Sequence, residues 1–159
     1  MKTEVINLVV LFVLGISYLV TYSKMQERYF KKFGFPNRPF AATIVLLGTI
    51  IAASINLIHI AELVASANRF FLDQEAYSKL FLFAICFFSG MWIFSFILFH
   101  LSFLLIGFIT PENENDELSK NNLEIAILHV VILISLTFII APALVKIAAE
   151  FIPYPEMPF

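Results

Sequence analysis

Four long apolar runs limit the fold of this chain more than any other feature. They cover residues 6–22, 40–67, 80–108 and 125–151. A helix needs about 20 apolar residues to cross the hydrocarbon of a bilayer, where only helices and closed barrels satisfy their backbone hydrogen bonds. The runs are too continuous for the alternating strands of a barrel. The sequence therefore predicts an all-α membrane protein, a single domain with four transmembrane helices.

Composition agrees with this fold class. Hydrophobic residues make up 60% of the 159 residues and charged residues 14%, against roughly half and a quarter in soluble domains. The formal net charge of -2 offers no basic surface for nucleic acid. The single cysteine, Cys86, excludes an intrachain disulfide. The predicted partners are the lipid bilayer and other membrane helices, and nucleic acid is excluded.

Basic residues cluster between the first and second runs. They are Lys24, Arg28, Lys31, Lys32 and Arg38. Cytoplasmic loops carry an excess of lysine and arginine, so we expect loops 23–39 and 109–124 to be cytoplasmic and both termini to lie outside a bacterial inner membrane. Two interpretations of the cations stay open, namely contact with anionic lipid headgroups and a topology signal alone.

The two halves of the chain share an order of features. Asn37 precedes the second run as Asn122 precedes the fourth. At the same offset three pairs are identical: Ala41 and Ala126, Val45 and Val130, and Ile55 and Ile140. Two spans in each half give both halves the same orientation, which predicts two parallel-oriented two-helix repeats.

With these features the chain resembles the bacterial membrane family called domain of unknown function 350. The resemblance rests on Asn37, Ala41 and Ala42, and on Asn122 and Ala126. The sequence departs from the family pattern through Arg38, Pro39 and Phe40 after Asn37, and through a single glycine, Gly48, in the second run. The resemblance implies four spans in two paired halves, and it implies no activity.

The second run carries polar and small residues at helical spacing. They are Gly48, Ala52, Asn56, His59, Glu62 and Ser66. Steps of three or four place them along one side of a helix, where polar groups need a partner or water. One hypothesis is an ion or proton path, and the other is hydrogen bonding between helices. Lys146 in the fourth run is expected at the depth of Glu62, so we expect the two to pair if their helices are neighbours.

Two histidines, His100 and His129, are expected at similar depth in neighbouring spans. One hypothesis is a bis-histidine haem or metal site, and the other is hydrogen bonding by neutral histidines. No attachment motif or third ligand accompanies them, so we predict no cofactor, with haem as the alternative. The acidic residues Glu112, Glu114, Asp116 and Glu117 lack the spacing of a calcium loop and are expected to form a solvated surface.

The third run is rich in aromatic residues, with Trp92 near mid-membrane. Together with Gly48 and Ala52, this residue is a candidate for contacts between subunits. The chain has no catalytic triad, phosphate loop or zinc-helix motif, so we expect no enzyme. The predicted function is a structural or interaction subunit of a homo-oligomer or larger membrane complex. The alternatives are an ion or proton channel or carrier, and a bis-histidine haem protein.

Overall fold

The computed structural model describes residues 2–32, 39–73, 77–110 and 113–150. Five helices follow one another in these ranges: α1 (Lys2–Lys32), α2 (Phe40–Asp73), α3 (Tyr77–Ile109), α4 (Glu114–Ser119) and α5 (Leu123–Ala149). The described ranges contain no strand. The predicted all-α fold class is confirmed.

Three helices are long and apolar enough to cross a membrane among the described residues. The segments are Phe40–Ala65 in α2, Phe81–Ile109 in α3 and Leu123–Ala149, the whole of α5. They correspond to the second, third and fourth predicted runs. The first run lies inside α1, which continues well beyond it. The count of four spans stays a prediction.

Large apolar side chains cover the outside of the bundle as well as its core. Phe108 is 79% exposed and Ile139 is 72% exposed, and many other large hydrophobic residues on α2, α3 and α5 are more than half exposed. Soluble proteins rarely expose contiguous apolar surface on this scale. The outer surface therefore matches hydrocarbon as its solvent.

The central helix is α2, which packs against α1, α3, α4 and α5. It runs in the same direction as α5, because residues near both helix starts meet and so do residues further along. The backbone N–H of Ala41 donates to Asn121 Oδ1 at 2.9 Å, and Gly48 lies against Val130. A Cβ atom at Gly48 would lie 2.4 Å from Val130 Cγ2, so this glycine lets the two helices approach closely.

The predicted repeat is not reproduced by the helix packing. A repeat with α1 equivalent to α3, and α2 equivalent to α5, requires α1 to meet α5 as α3 meets α2. In the described part of the chain, α1 packs its backbone against α2 and α3 only. The parallel orientation of α2 and α5 is therefore present without the rest of the symmetry. Asn37, on which the repeat also depends, lies outside the described residues.

The short helix α4 closes one end of the bundle, which we call the α4 end. Asn113 caps the helix by accepting a hydrogen bond from the backbone N–H of Asn115. Leu118 is fully buried and anchors it. Asn121 then adopts a left-handed φ of 64°, which asparagine tolerates better than most residues. The next residue, Asn122, caps α5 by accepting from the backbone N–H groups of Glu124 and Ile125.

The basic segment after the first run is helical up to Lys32, so the prediction that a loop begins at residue 23 is wrong. Lys24, Arg28 and Lys31 are exposed on this helix, and Lys31 pairs with Glu27 at 3.1 Å. Gln26 in the same stretch is fully buried. The apolar run ends where α1 becomes amphipathic, and the inner side of α1 stays packed on the bundle beyond that point. The side chains of Lys32 and Arg38 lie outside the described residues.

Candidate functional site

Two groups of buried polar side chains join different helices of the bundle, and Gln26, Thr49 and Thr137 are buried in addition to them. The first group, which we call the central layer, consists of Tyr18, Tyr22, Asn56 and Ser95. The second group, which we call the end layer, consists of Ser102, Glu114 and His129. All seven side chains are at most 6% exposed. Because buried polar groups cost free energy unless they are hydrogen-bonded, the partners in each layer decide what the layer does.

The central layer joins α1, α2 and α3 through one serine. Asn56 Nδ2 donates to Ser95 Oγ at 2.7 Å, and the hydroxyl of Tyr18 is hydrogen-bonded to the same oxygen. Tyr22 donates its hydroxyl to the Ser95 carbonyl at 3.0 Å. The two tyrosine rings are stacked, with centroids 6.2 Å apart. Tyrosine, asparagine and serine are uncharged at neutral pH. This layer therefore holds the three helices together through hydrogen bonds between neutral groups.

The end layer joins α3, α4 and α5 and contains ionisable groups. His129 Nε2 lies 3.0 Å from Ser102 Oγ, and His129 Nδ1 lies 3.9 Å from Glu114 Oε2. Within the described part of the chain, Nδ1 and both carboxylate oxygens are buried without a hydrogen-bond partner. This layer therefore differs from the central one in the charge that its side chains can carry, although Asn56 Oδ1 in the central layer is also buried without a hydrogen-bond partner among the described residues.

The two layers are separated along the bundle axis. Ser95 and Ser102 are seven residues apart on α3, which puts them on the same side of the helix, about 10.5 Å apart at 1.5 Å per residue. The apolar residue Phe99 is fully buried between these two positions. The two polar layers are therefore distinct units and not one continuous chain of hydrogen bonds.

Glu117 on α4 shows how the loop beside the end layer is held. Its carboxylate accepts hydrogen bonds from Asn122 Nδ2 at 2.9 Å and from Lys120 Nζ at 2.6 Å. These two bonds hold the pKa of Glu117 below its ordinary value of 4.5. Glu117 is thus ionised at neutral pH and faces the loop, whereas Glu114 in the same helix is buried beside His129.

The residues predicted along one side of α2 separate in the structure. Asn56 is fully buried and hydrogen-bonded within the central layer. Glu62 points outward with its side chain 70% exposed, whereas the His59 side chain is 24% exposed, and 3.8 Å separates Glu62 Oε2 from His59 Nδ1. A Glu62–Lys146 salt bridge is not found among the described residues, and Lys146 is exposed on α5. The side chain of Ser66 lies outside the described residues.

The histidines predicted as a haem or metal pair lie in different surroundings. His129 is fully buried and directs its two ring nitrogens to Ser102 and Glu114. His100 is only partly buried. The ring of Phe99 contacts both imidazoles, with centroids 5.6 Å from His100 and 5.5 Å from His129. The described residues contain no group of three or more His, Cys, Asp or Glu side chains that could hold a metal ion.

Gly48 and Ala52, predicted as contacts between subunits, are buried inside the chain instead. Gly48 packs against Val130, and Ala52 belongs to the apolar core formed with Leu98 and Leu133. The small residues are used for the intramolecular contact because α2 is the central helix. Trp92 is different, since it borders a groove at the surface between α1 and α3.

Sequence reasoning missed most members of the two layers. Tyr18 and Tyr22 lie in the last part of the run 6–22 and were not predicted as polar contacts, and Glu114 was predicted to belong to a solvated acidic surface. A signal for Ser95 and Ser102 was present in their seven-residue spacing inside an apolar run. A signal for Glu114 was weaker, because any of several neighbouring acidic residues could have turned inward.

The fold defines an all-helical protein with three helices of membrane-spanning length and a polar interior at two levels. The chain belongs to the family described as Domain of Unknown Function (DUF350), which matches residues 1–144. The resemblance predicted from the residues around Asn37 and Asn122 is therefore confirmed. No curated protein and no solved structure matches the chain.

Proposed function

We propose that the chain is a four-span integral membrane protein that acts as a non-enzymatic interaction subunit and self-associates within the membrane. The fourth span is α1. Its run 6–22 contains no Asp, Glu, Lys or Arg, and Tyr18 and Tyr22 fasten it to α3 at the level of the central layer. A helix tied to its neighbours at this depth is well placed to cross the bilayer with them.

The outer face of α3 is the single observation that carries the proposal. Cys86, Ser89 and Gly90 are all exposed there, and a Cβ atom at Gly90 would meet nothing within 4 Å. Small residues let the backbone of another helix come close, which is the main source of helix association in lipid. This small-residue face is therefore suited to a second copy of the chain.

Two surface grooves flank this face of α3. The groove between α1 and α3 has a volume of about 420 Å³ and is bordered by Ser17, Ser89 and Trp92. The groove between α3 and α5 has a volume of about 360 Å³. The Trp92 Nε1 atom is buried without a hydrogen-bond partner among the described residues, although a buried indole N–H usually finds one. Side chains of a second copy fit such a pair of grooves.

Cross-linking through the native cysteine tests the proposal. Oxidation of intact membranes should join two chains through Cys86, which is exposed on this face. The matched control combines Cys86→Ser with Ala65→Cys. Asn56 pairs with Ser95, so Ala65, nine residues after Asn56, lies level with Cys86, nine residues before Ser95. Ala65 is also exposed but lies on α2, and it should not cross-link.

Equal cross-linking at the two positions would indicate random collision. No cross-link at Cys86, together with the mass of a single chain in nanodiscs, would contradict self-association. If the assembly contains one copy of the chain together with other proteins, the chain is still an interaction subunit. Its partner is then another protein and not a second copy, and self-association is wrong.

For the orientation, we propose that the α4 end faces the cytoplasm of a bacterial cell. The exposed cations Lys24, Arg28 and Lys31 on α1 support this direction, and they are available to anionic headgroups. In the Cys86→Ser background, an impermeant thiol reagent outside the cell should label Lys79→Cys and not Lys31→Cys. The reverse pattern would invert the topology.

A proton or ion carrier is the second candidate, and the ionisable end layer is the observation that favours it. The path originally expected along Asn56, His59 and Glu62 gains no support, since Asn56 points inward and Glu62 points outward. Transport through the interior would also have to bridge the apolar gap between Ser95 and Ser102. A conductance or uptake signal in liposomes that disappears with His129→Gln would favour transport over assembly.

A further inference from the structure

One side of α1 carries exposed polar side chains from the middle of the helix to its end. They are Ser17, Thr21, Lys24, Arg28 and Lys31, which follow one another at steps of three or four residues. Such steps place side chains along one side of a helix. Hydroxyl groups come first along this side and cations follow. We call these five residues the polar stripe of α1.

The first cation of the stripe lies level with the apolar part of α2. A Cβ atom at Gly15 would lie 3.1 Å from Leu57 Cδ2. Gly15 is 17 residues before the end of α1 and Leu57 is 17 residues after the start of α2, so the two helices form an antiparallel hairpin. Lys24 follows Gly15 by nine residues, and Gly48 precedes Leu57 by nine. Lys24 is therefore level with Gly48, about 12 Å along α2 from the start of its apolar segment at Phe40.

The uncharged stretch of α1 is also shorter than the apolar segments of its neighbours. Run 6–22 has 17 residues, whereas the segment of α2 has 26 residues and that of α3 has 29. At 1.5 Å per residue, the run of α1 spans about 25 Å, which is less than the ~30 Å of bilayer hydrocarbon. A short span is accommodated by local thinning of the bilayer. Lipid headgroups beside α1 therefore come closer to the middle of the bilayer than those beside α2 and α3.

Two of the three cations in the stripe have no counter-charge among the described residues. Lys31 pairs with Glu27 at 3.1 Å, whereas Lys24 and Arg28 form no salt bridge in that part of the chain. A cation at the depth of the hydrocarbon is costly unless it is paired or hydrated. The anion that a bilayer supplies is the headgroup phosphate, which lysine and arginine bind through charge-assisted hydrogen bonds.

The hydroxyl end of the stripe borders the groove between α1 and α3. Ser17 and Thr21 lie on the α1 side of this groove and Ser89 on the α3 side, and the lining also includes the apolar side chains of Phe88 and Ile93. The volume of about 420 Å³ is within the range of ligand pockets. Hydroxyl groups donate hydrogen bonds to ester oxygens, and apolar walls suit an acyl chain.

We propose that the polar stripe and this groove form a binding site for an anionic phospholipid of the leaflet at the α4 end. The phosphate binds Lys24 and Arg28, the ester oxygens lie near Thr21 and Ser17, and one acyl chain occupies the groove. Along the helix, Thr21 is about 4.5 Å and Ser17 about 10.5 Å from Lys24. The order of cations, hydroxyl groups and apolar walls along α1 thus matches the order of phosphate, ester groups and hydrocarbon along the lipid.

The second groove, between α3 and α5, shows why the first one is selective. Its volume of about 360 Å³ is similar, but its lining contains neither a charged residue nor a hydroxyl group. Cys86 and Gly90 border this second groove, so a lipid bound beside α1 leaves that edge of α3 open to a second copy.

The inference rests on α1 as the fourth span, which belongs to the proposed function, but it does not rest on self-association. An impermeant thiol reagent outside the cell should label Lys2→Cys in the Cys86→Ser background, and this result tests the crossing by α1 separately. Failure of the lipid site and failure of the proposed function are therefore distinguishable.

The single tryptophan of the chain, Trp92, borders the groove and serves as the reporter of lipid binding. Bromine atoms on an acyl chain quench tryptophan fluorescence on contact. The full chain with Cys86→Ser is placed in nanodiscs that hold one copy, with a small fraction of brominated phosphatidylglycerol or brominated phosphatidylcholine in unlabelled phosphatidylcholine. We expect the anionic lipid to bind about tenfold more tightly than the zwitterionic one, because two cations without a counter-charge attract it.

The double variant Lys24→Gln with Arg28→Gln should abolish this preference for the anionic lipid. The matched control, Lys79→Gln with Lys146→Gln, removes two exposed positive charges from α3 and α5 and should keep it. Equal quenching by the two lipids in the Cys86→Ser chain would overturn the proposal. An equal loss of preference in both double variants would also overturn it, since overall charge would then be the cause.

The place of the acyl chain is tested with Ser17→Leu, which fills the groove and should reduce quenching by brominated phosphatidylglycerol. Ser135→Leu is the matched control, because Ser135 is exposed on α5 and does not border the groove. Quenching that is the same in both leucine variants would overturn the assignment of the groove to the lipid.

Discussion

The two polar layers are equally buried but differ in chemistry. In the central layer Ser95 on α3 forms hydrogen bonds with side chains of two other helices, α1 and α2, and the members of the layer carry no charge. In the end layer His129 and Glu114 face each other, and neither His129 Nδ1 nor the Glu114 carboxylate oxygens have a hydrogen-bond partner among the described residues. The difference teaches that burial alone does not separate a structural polar group from a functional one. The type of side chain also matters, because only the end layer contains a carboxylate and an imidazole, whereas both layers hold buried polar atoms without a hydrogen-bond partner among the described residues.

The largest effect is expected where α2 and α5 approach each other beside the end layer. Gly48→Ala introduces a Cβ atom 2.4 Å from Val130 Cγ2. It should lower the free energy of unfolding by about 2 kcal/mol and disturb the NMR signals of the adjacent His129, while Tyr18 and Tyr22 signals stay in place. Denaturation in mixed micelles measures the free energy.

Gly107→Ala is the control for this change, since a Cβ atom there would meet nothing within 4 Å. It should be neutral or stabilise the helix by up to about 1 kcal/mol. Equal effects of the two alanines would mean that the close approach of α2 and α5 does not hold the end layer in place.

A smaller contrast is expected between the two serines of α3. Ser95→Ala removes the oxygen shared by Tyr18 and Asn56, and we expect a loss of about 2 kcal/mol, because two buried donors lose their acceptor. Ser102→Ala removes the partner of one nitrogen, His129 Nε2, and should cost about 1 kcal/mol. The same denaturation assay ranks them, and a larger loss at Ser102 would reverse the proposed roles of the layers.

The smallest effect concerns Glu117 and acid. Its pKa is held below 4.5 in the folded chain by Asn122 and Lys120. The stability that its ionised carboxylate gives to the folded state is therefore present above the unfolded pKa. That contribution is lost as pH falls through the folded pKa. Amide exchange at Lys120 and Asn121, taken relative to the intrinsic rate at each pH, should therefore rise in acid in the original chain. In Glu117→Gln it should be raised at neutral pH and change less with acid, and an unchanged acid response would exclude this carboxylate as the cause.

The long helices could be predicted from the sequence because hydropathy depends only on local composition. Helix α2 begins at Phe40, where the second predicted run begins, and α5 begins at Leu123, two residues before the fourth predicted run. The extension of α1 to Lys32 was missed, because a hydropathy scan does not show that Gln26 faces the bundle while Lys24 and Arg28 face away.

The candidate site could be predicted only in part. His129 and Asn56 stood out as polar residues inside apolar runs. Their partners could not be derived, because pairing depends on which helices are neighbours and on where α4 folds back. Glu114 shows this most clearly, since it differs from Glu117 only by its position on a six-residue helix. That position turns one carboxylate to His129 and the other to Lys120.

The most direct test of the account is a pair of double-mutant cycles on the free energy of unfolding. Within the end layer, Glu114→Ala and His129→Ala should be coupled by about 1–3 kcal/mol, because either change alone leaves its partner buried and unmatched. Between layers, Asn56→Ala and His129→Ala should add within about 0.5 kcal/mol. Additive losses for Glu114 and His129, or strong coupling between Asn56 and His129, would contradict two independent layers of which one holds a coupled ionisable pair.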